Sequence, residues 1–211
     1  MHTLDYITAG KDLLGSGKAL IMVHGRGGSA EDILSLADAL PVEDFALFAP
    51  KAAAHSWYPY SFMAPIQQNE PWLTGALHVL KQLVTDINVQ GVTNENIYFV
   101  GFSQGACLTL EFVARNATRY GGVAAFTGGL IGDRLYPHHY TGDFGGTPIF
   151  IGTSDPDPHV PVSRVHDSTA LLEKMNAAVT ERIYPGMGHT ITNSEITDAA
   201  QAVFAPAALK K

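Results

Sequence analysis

The sequence is poor in cysteine, in basic residues and in long apolar runs. Its one cysteine, Cys107, cannot form an intramolecular disulfide. A formal charge of −7 argues against a nucleic-acid partner. No apolar run approaches the roughly 18 residues of a membrane span, and the first residues lack the basic and apolar stretches of a secretion signal. We therefore predict a cytoplasmic protein that uses neither a disulfide framework nor a membrane span.

What the sequence does contain is a regular alternation of strand-like and helix-like apolar segments. Short apolar runs predict strands, and longer runs with helical spacing predict helices between them. The strands fall at residues 4–8, 19–23, 45–49, 96–100, 122–126, 147–152 and 179–184. The helices fall at 30–40 with Ser29 as N-cap, at 71–90, after the turn that ends at residue 105, at 162–176 and at 194–209. This order predicts an α/β fold over residues 1–211 as one domain, a doubly wound and mainly parallel sheet with helices on both faces. The short interval between residue 49 and Pro71 leaves no room for a large lid domain.

The fold is organised around the turn Gly101-Phe102-Ser103-Gln104-Gly105. Glycine two residues before and two after a serine suits a sharp, strained elbow between a strand and a helix. The helix that follows directs unpaired N–H groups and the positive end of its dipole toward the place where an oxyanion would form. With 21 glycines in the chain the motif alone is weak, but its position between an apolar strand and an apolar helix favours a nucleophile.

Ligands of such sheets lie beyond the carboxyl ends of the strands, where few polar residues occur. A nucleophilic serine needs a base, and the base needs a partner that fixes its tautomer. Ser103, Asp157 and His189 follow one another in the chain order of α/β-hydrolases. Asp155 is the alternative to Asp157, because both follow the strand at 147–152. The alternation of side-chain directions along a strand does not decide which of the two faces the histidine. We expect Asp155 to cap the turn there instead.

The sequence resembles the phospholipase/carboxylesterase branch of the α/β-hydrolases, which includes acyl-protein thioesterases. The resemblance covers nearly the whole chain and is carried by four motifs: His24-Gly25, Gly101-Phe102-Ser103-Gln104-Gly105, Asp157-Pro158-His159-Val160-Pro161 and Gly186-Met187-Gly188-His189. It implies a serine esterase or thioesterase with Ser103 as nucleophile, His189 as base and Asp157 as the residue that orients it. It also implies an oxyanion hole formed by the backbone N–H groups of Arg26 and Gln104.

Substrate recognition is expected in residues 50–62, which we call the aromatic loop. Its tryptophan, tyrosines and phenylalanine line an acyl pocket or merely cover the sheet edge, and we expect Trp57, Tyr58 and Phe62 to bind substrate. The loop is similar to that of bacterial carboxylesterase-like members, including hydroquinone-linked hydrolases, more than to that of eukaryotic thioesterases. The Arg26 side chain either meets an anionic substrate group or is solvated. A small-molecule ester or thioester is the expected partner, and a homodimer remains open.

Other classes of function have weaker support in the sequence. Gly25-x-Gly27-x-x-Ala30 fits a dinucleotide-binding turn of an oxidoreductase, but Pro50-Lys51 stands where its acidic residue is expected. A hydrolase fold retained as a non-catalytic binding module is the other alternative. Asp155, Asp157 and His159 lack a second ligand group at suitable spacing, so we predict no metal. No cofactor is implied.

Overall fold

The computed structural model describes residues 2–204, and within them one sheet of seven strands has the order β1-β3-β2-β4-β5-β6-β7. Only β1 is antiparallel to its neighbour, β3, and all other pairs are parallel. The strands are β1 Tyr6–Gly10, β2 Ala19–Val23, β3 Ala46–Pro50, β4 Ile97–Phe102, β5 Gly122–Phe126, β6 Pro148–Asp155 and β7 Ala178–Pro185.

Helices cover both faces of this sheet, because successive side chains of each buried strand point to opposite sides. In β2, for example, Ile21 packs into one apolar cluster and Met22 into the other. The α-helices are α1 Leu13–Ser16, α2 Ala30–Leu34, α3 Ile66–Asn69, α4 Trp72–Val89, α5 Gln104–Arg115, α6 Val162–Lys174 and α7 Asn193–Ala199. Helices α4, α5 and α6 pack on one face, and α2 and α7 pack on the other.

Short turns of other helix types complete the described chain. They are the 3-10 turns Ser35–Ala39, Ala53–His55, Asn94–Asn96 and Pro137–His139, and the π turn Ala200–Phe204. Between β3 and α4, residues 51–71 hold only one such turn and α3, so no lid domain is inserted there. No helix within residues 2–204 combines the length and apolar character needed to cross a bilayer.

The predicted fold is confirmed, with several differences in the bounds. Strand β1 begins at Tyr6 instead of residue 4, and the expected loop at 10–18 contains α1, which Asp12 caps. The predicted helix at 30–40 begins as expected after its N-cap Ser29, but it is α2 followed by a 3-10 turn. Strand β6 continues to Asp155, because it pairs with β7 along its whole length. The predicted last helix is α7 and a π turn, and its residues 205–209 lie outside the described residues.

A buried carboxyl group lies between α7 and the sheet. Glu195 is fully buried, and neither of its carboxylate oxygens has a hydrogen-bond partner among the described residues. Burial raises its pKa to about 8. A Cβ atom at Gly152 would lie 2.2 Å from Glu195 Oε1, so this helix packs directly against the backbone of β6.

We expect the Glu195→Gln variant to gain stability relative to the wild type as the pH rises from 5 to 8. The unfolded chain ionises near the ordinary pKa, about 4.3, whereas folded Glu195 keeps its proton up to about pH 8. Between these values the unfolded state holds fewer protons, so wild-type stability falls with pH, by an amount on the order of a few kcal/mol. The glutamine side chain of the variant would not titrate. Thermal melts at both pH values test this, with Glu173→Gln on the exposed side of α6 as control. The prediction would be wrong if the difference in Tm between wild type and Glu195→Gln were the same at pH 5 and at pH 8.

Candidate active site

The sharp turn at Ser103 depends on two close backbone approaches. Ser103 joins β4 to α5 with φ of 53° and ψ of −117°, a strained conformation for a residue other than glycine. A Cβ atom at Gly101 would lie 2.5 Å from Gly105 O, and one at Gly105 would lie 2.1 Å from Val23 O. A side chain at Gly101 would therefore push β4 away from α5, and one at Gly105 would push α5 away from β2. Glycine at both positions lets the turn present the serine hydroxyl at the sheet edge.

The structure brings Ser103, His189 and Asp157 into one chain of hydrogen bonds. Ser103 Oγ lies 2.8 Å from His189 Nε2, and His189 Nδ1 lies 2.9 Å from Asp157 Oδ2. Because the carboxylate can only accept, His189 Nδ1–H donates to it and leaves Nε2 free to accept from the serine hydroxyl. This is the geometry in which an imidazole can remove the proton of a serine.

Asp157 is held by more than the imidazole. Its other oxygen, Oδ1, accepts from the backbone N–H of His159 at 2.7 Å and of Val160 at 2.9 Å. Burial acts to raise the pKa of this carboxyl group, but the two N–H donors and His189 outweigh burial and hold the pKa below its ordinary value. The side chain therefore remains an anion facing the imidazole at neutral pH.

Asp155 has a different place from the one expected. It is exposed at the end of β6, and its backbone carbonyl accepts from Gly186 N–H at 2.9 Å. The expectation that Asp155 caps the turn before α6 is wrong, because Asp157 provides that cap while it also bonds His189.

Two residues that the sequence reasoning did not assign to the site support the histidine. Ser154 Oγ accepts from Gly188 N–H at 2.8 Å and donates to Pro156 O at 3.1 Å, which joins the loops of His189 and Asp157. The ring of His159 stands edge-on to that of His189, with centroids 4.8 Å apart. His159 was considered only as a metal ligand, and nothing in the local pattern distinguishes Ser154 from an ordinary strand residue.

The two expected oxyanion donors belong to segments next to Ser103. Gln104 N–H begins α5, and Arg26 N–H belongs to residues 24–28, the segment after β2 that we call the oxyanion turn. Among the described residues, neither N–H has a hydrogen-bond partner. A Cβ atom at Gly25 would lie 3.5 Å from Ser103 Cβ, so the turn passes directly beside the serine.

His24 fixes the peptide that carries the Arg26 N–H. Its Nε2 accepts from Ala52 N–H at 3.2 Å, so its Nδ1–H donates to Gly25 O at 2.7 Å. Burial lowers the pKa of this imidazole, which keeps it neutral as these two bonds require. In a planar trans peptide the N–H points opposite to the carbonyl. Holding the Gly25 carbonyl thus also holds the direction of the Arg26 N–H.

A cavity of about 390 Å³ opens over Ser103. Its apolar wall includes Tyr58 and Phe62, as predicted from the aromatic loop, together with Val160 and Cys107. Burial raises the pKa of the Cys107 thiol to about 12, so this thiol stays protonated at neutral pH and is a poor nucleophile.

Trp57 does not line that cavity. Its side chain is fully buried, its ring packs against those of His2 and His24, and its Nε1–H donates to His24 O at 2.9 Å. The structure therefore does not bring Trp57 to the cavity, contrary to the prediction from sequence. The Arg26 side chain is exposed at the rim of the cavity and donates to the aromatic loop at Ser56 Oγ, Pro59 O and Tyr60 O, contacts that neither expectation included.

A mainly parallel sheet, a strained serine between β4 and α5, and an aspartate and a histidine beyond β6 and β7 define the α/β-hydrolase fold. Within that fold, residues 15–204 match the family model described as phospholipase/carboxylesterase, and the chain belongs to this family.

Relatives in this family include esterases and thioesterases. The chain is 32% identical over 106 residues to a probable carboxylesterase SOBER1-like of Arabidopsis thaliana, a match covering 50% of this chain and 40% of the relative. It is 30% identical over 144 residues to acyl-protein thioesterase 1 of Kluyveromyces lactis, covering 65% of this chain and 61% of the relative. The matches thus span about half of the length of these curated relatives.

A solved structure agrees over nearly the whole chain. The crystal structure of a phospholipase/carboxylesterase from Dyadobacter fermentans is similar with a TM-score of 0.95 and 53% sequence identity. The comparison covers 96% of this chain and 97% of that one.

Two backbone donors of the rival dinucleotide turn are already engaged within the protein. Gly27 N–H donates to His55 O at 2.7 Å, and Gly28 N–H donates to Gly25 O at 3.1 Å. Helix α2, which would point its dipole at a pyrophosphate, has only five residues. The turn is joined to the aromatic loop and does not form a phosphate cradle.

Proposed function

We propose that the chain is a serine hydrolase that cleaves carboxylic ester or thioester bonds of small-molecule substrates through an acyl-enzyme. The observation that carries this proposal is the hydrogen-bonded series Ser103, His189 and Asp157 at the edge of a cavity large enough for an acyl group. The names of the relatives, carboxylesterase and acyl-protein thioesterase, support both bond types. The same observation favours an enzyme over a binding module.

The reaction follows from the positions of these groups. Ser103 Oγ attacks the carbonyl carbon while His189 Nε2 takes the hydroxyl proton, and Asp157 stabilises the imidazolium that results. The oxyanion of the tetrahedral intermediate accepts from the N–H groups of Arg26 and Gln104. When the tetrahedral intermediate breaks its bond to the leaving group, His189 gives its proton to the departing alkoxide or thiolate, and it afterwards activates the water that releases the acid. Every step uses only these side chains, the backbone and water.

The acyl group is proposed to lie against Tyr58 and Phe62, since both face the cavity beside Ser103. A volume of about 390 Å³ suits a short or medium chain. We further propose that the chain acts as one domain, because a single sheet carries all of these groups, and that it acts in the cytoplasm. Its one cysteine is a buried free thiol, so the described fold needs no oxidising compartment.

We expect hydrolysis of p-nitrophenyl esters and acyl thioesters from acetyl to about octanoyl, without a jump in rate above the critical micelle concentration of longer substrates. Interfacial activation needs a lid that opens, and residues 51–71 hold only one 3-10 turn and a four-residue helix. Initial rates across acyl lengths and through the critical micelle concentration measure this.

Ser103→Ala is the control for background hydrolysis in that panel. A wild-type rate no higher than that of Ser103→Ala on every ester and thioester would contradict the proposed function. A steep rise above the critical micelle concentration would contradict only the open site.

A further inference from the structure

The side chain of Gln104 binds the aromatic loop, and its backbone N–H is one of the two proposed oxyanion donors. Its Oε1 accepts from Trp57 N–H at 2.9 Å, and its Nε2 donates to Tyr58 O at 2.8 Å. The amide group thus bonds the loop backbone through both its oxygen and its nitrogen, and Gln104 itself is buried. The position of Tyr58, which lines the cavity, depends directly on this pairing.

Arg26, the other oxyanion donor, binds the next part of the same loop. Its Nη1 donates to Ser56 Oγ at 3.0 Å and to Pro59 O at 2.9 Å, and its Nη2 donates to Tyr60 O at 2.7 Å. The planar guanidinium can reach three acceptors at once, which an ammonium group on a flexible stem cannot do in the same geometry.

The backbones of the oxyanion turn and the aromatic loop are also joined. Gly27 N–H donates to His55 O at 2.7 Å, and His55 Nδ1–H donates to Gly28 O at 2.9 Å. Because the turn that positions the Arg26 N–H and the loop that positions Tyr58 and Phe62 share these bonds, a displacement of one segment displaces the other.

From these contacts we propose that Arg26 and Gln104 are positioning residues that couple occupation of the acyl pocket to the alignment of the oxyanion hole. The inference rests on the proposed function. An acyl chain that packs against Tyr58 and Phe62 fixes the position of the aromatic loop. Because the side chains of Arg26 and Gln104 are bonded to that loop, the backbone N–H groups of these two residues are then held in place as well. Acyl binding energy then appears in the transition state, as a higher kcat for a longer acyl chain, and not only as a lower KM.

The test is the dependence of kcat and KM on acyl length in Arg26→Met, measured on acetyl, butanoyl and hexanoyl p-nitrophenyl esters. The backbone N–H is retained in this variant and only the guanidinium is lost. We expect kcat on the hexanoyl ester to fall about tenfold or more, since misalignment of an oxyanion donor costs this much, and kcat to become nearly independent of acyl length. KM should keep its dependence on length, because Tyr58 and Phe62 remain.

Lys51→Met is the matched control. Lys51 is a cation at the start of the same loop, but it pairs with Asp5 at the surface, 3.3 Å away, and not with the oxyanion turn. This variant should keep the wild-type kcat at every acyl length. If Arg26→Met does not fold by circular dichroism, Arg26→Lys and Gln104→Glu replace it. The latter keeps the acceptor for Trp57 N–H but loses the donor to Tyr58 O, so its kcat profile should also flatten.

The two proposals fail in different ways. If wild-type protein hydrolyses no ester and Ser103 takes no fluorophosphonate label, the proposed function is wrong. If the wild type is active but its kcat does not rise with acyl length, or if folded Arg26→Met or its replacements keep the wild-type rise and change only KM, the coupling is wrong. In the last case the side chains merely border the cavity.

Discussion

Replacing Ser103 with alanine is expected to lower kcat on the order of 10⁴-fold or more, and His189→Ala is expected to do the same. Ser103 Oγ and His189 Nε2 are 2.8 Å apart, so neither group completes the attack without the other. The double variant should therefore be little worse than either single one. The residual rate would come from the oxyanion donors and substrate binding, which neither substitution removes.

Covalent labelling provides an independent measurement of the same point. A fluorophosphonate should modify Ser103, because the turn exposes its hydroxyl and His189 activates it, and mass spectrometry of the digested protein locates the adduct. Cys107→Ala serves as a control, since the raised pKa of its thiol predicts no change in labelling. An adduct on another residue, or labelling that persists in Ser103→Ala, would show that the nucleophile is misassigned.

The second large effect is expected for Asp157→Asn, with kcat lower by about 10³–10⁴-fold and near-normal thermal stability. Asparagine can keep its carbonyl oxygen toward the N–H groups of His159 and Val160. Its NH₂ group then faces His189 Nδ1, where Asp157 Oδ2 now accepts. The imidazole must turn Nδ1 into the acceptor and carry its proton on Nε2, so it can no longer accept the proton of Ser103.

Asp155→Asn is the matched control, two residues away on the exposed end of β6. It should change kcat by less than about tenfold, because the Asp155 side chain makes none of the hydrogen bonds of His189. Steady-state kinetics and thermal melts of both variants decide the matter. A nearly inactive Asp155→Asn beside an active Asp157→Asn would reverse the assignment.

The fold and the Ser103 turn could be predicted because both depend on local patterns. The buried strand Ala19–Val23 has the predicted bounds, since a run of five apolar residues suits a buried strand and is short for a buried helix. Gly101 and Gly105 could be interpreted from the motif alone, and the structure adds the close contacts that require them. Chain order then places Asp157 and His189 beyond later strands of a parallel sheet.

The parts that sequence could not predict depend on contacts between distant segments. Arg26 and Ser56 are 30 positions apart, and Gln104 and Trp57 are 47 apart, so no periodicity relates them. The burial of Trp57 has the same origin, because Trp57 contacts His2, which is 55 positions away in the chain. Asp155 was misplaced since the extension of β6 is determined by its pairing with β7.

The burial of Cys107 has a practical consequence for spectroscopy. The chain has no second sulfhydryl, and this one is shielded and protonated at neutral pH, so maleimide reagents should leave the folded protein untouched. A cysteine placed at Tyr60, which is 57% exposed on the aromatic loop, would then be the sole point of attachment for a spin label or a fluorophore. Such a reporter would follow the motion of the loop during turnover in an otherwise native chain.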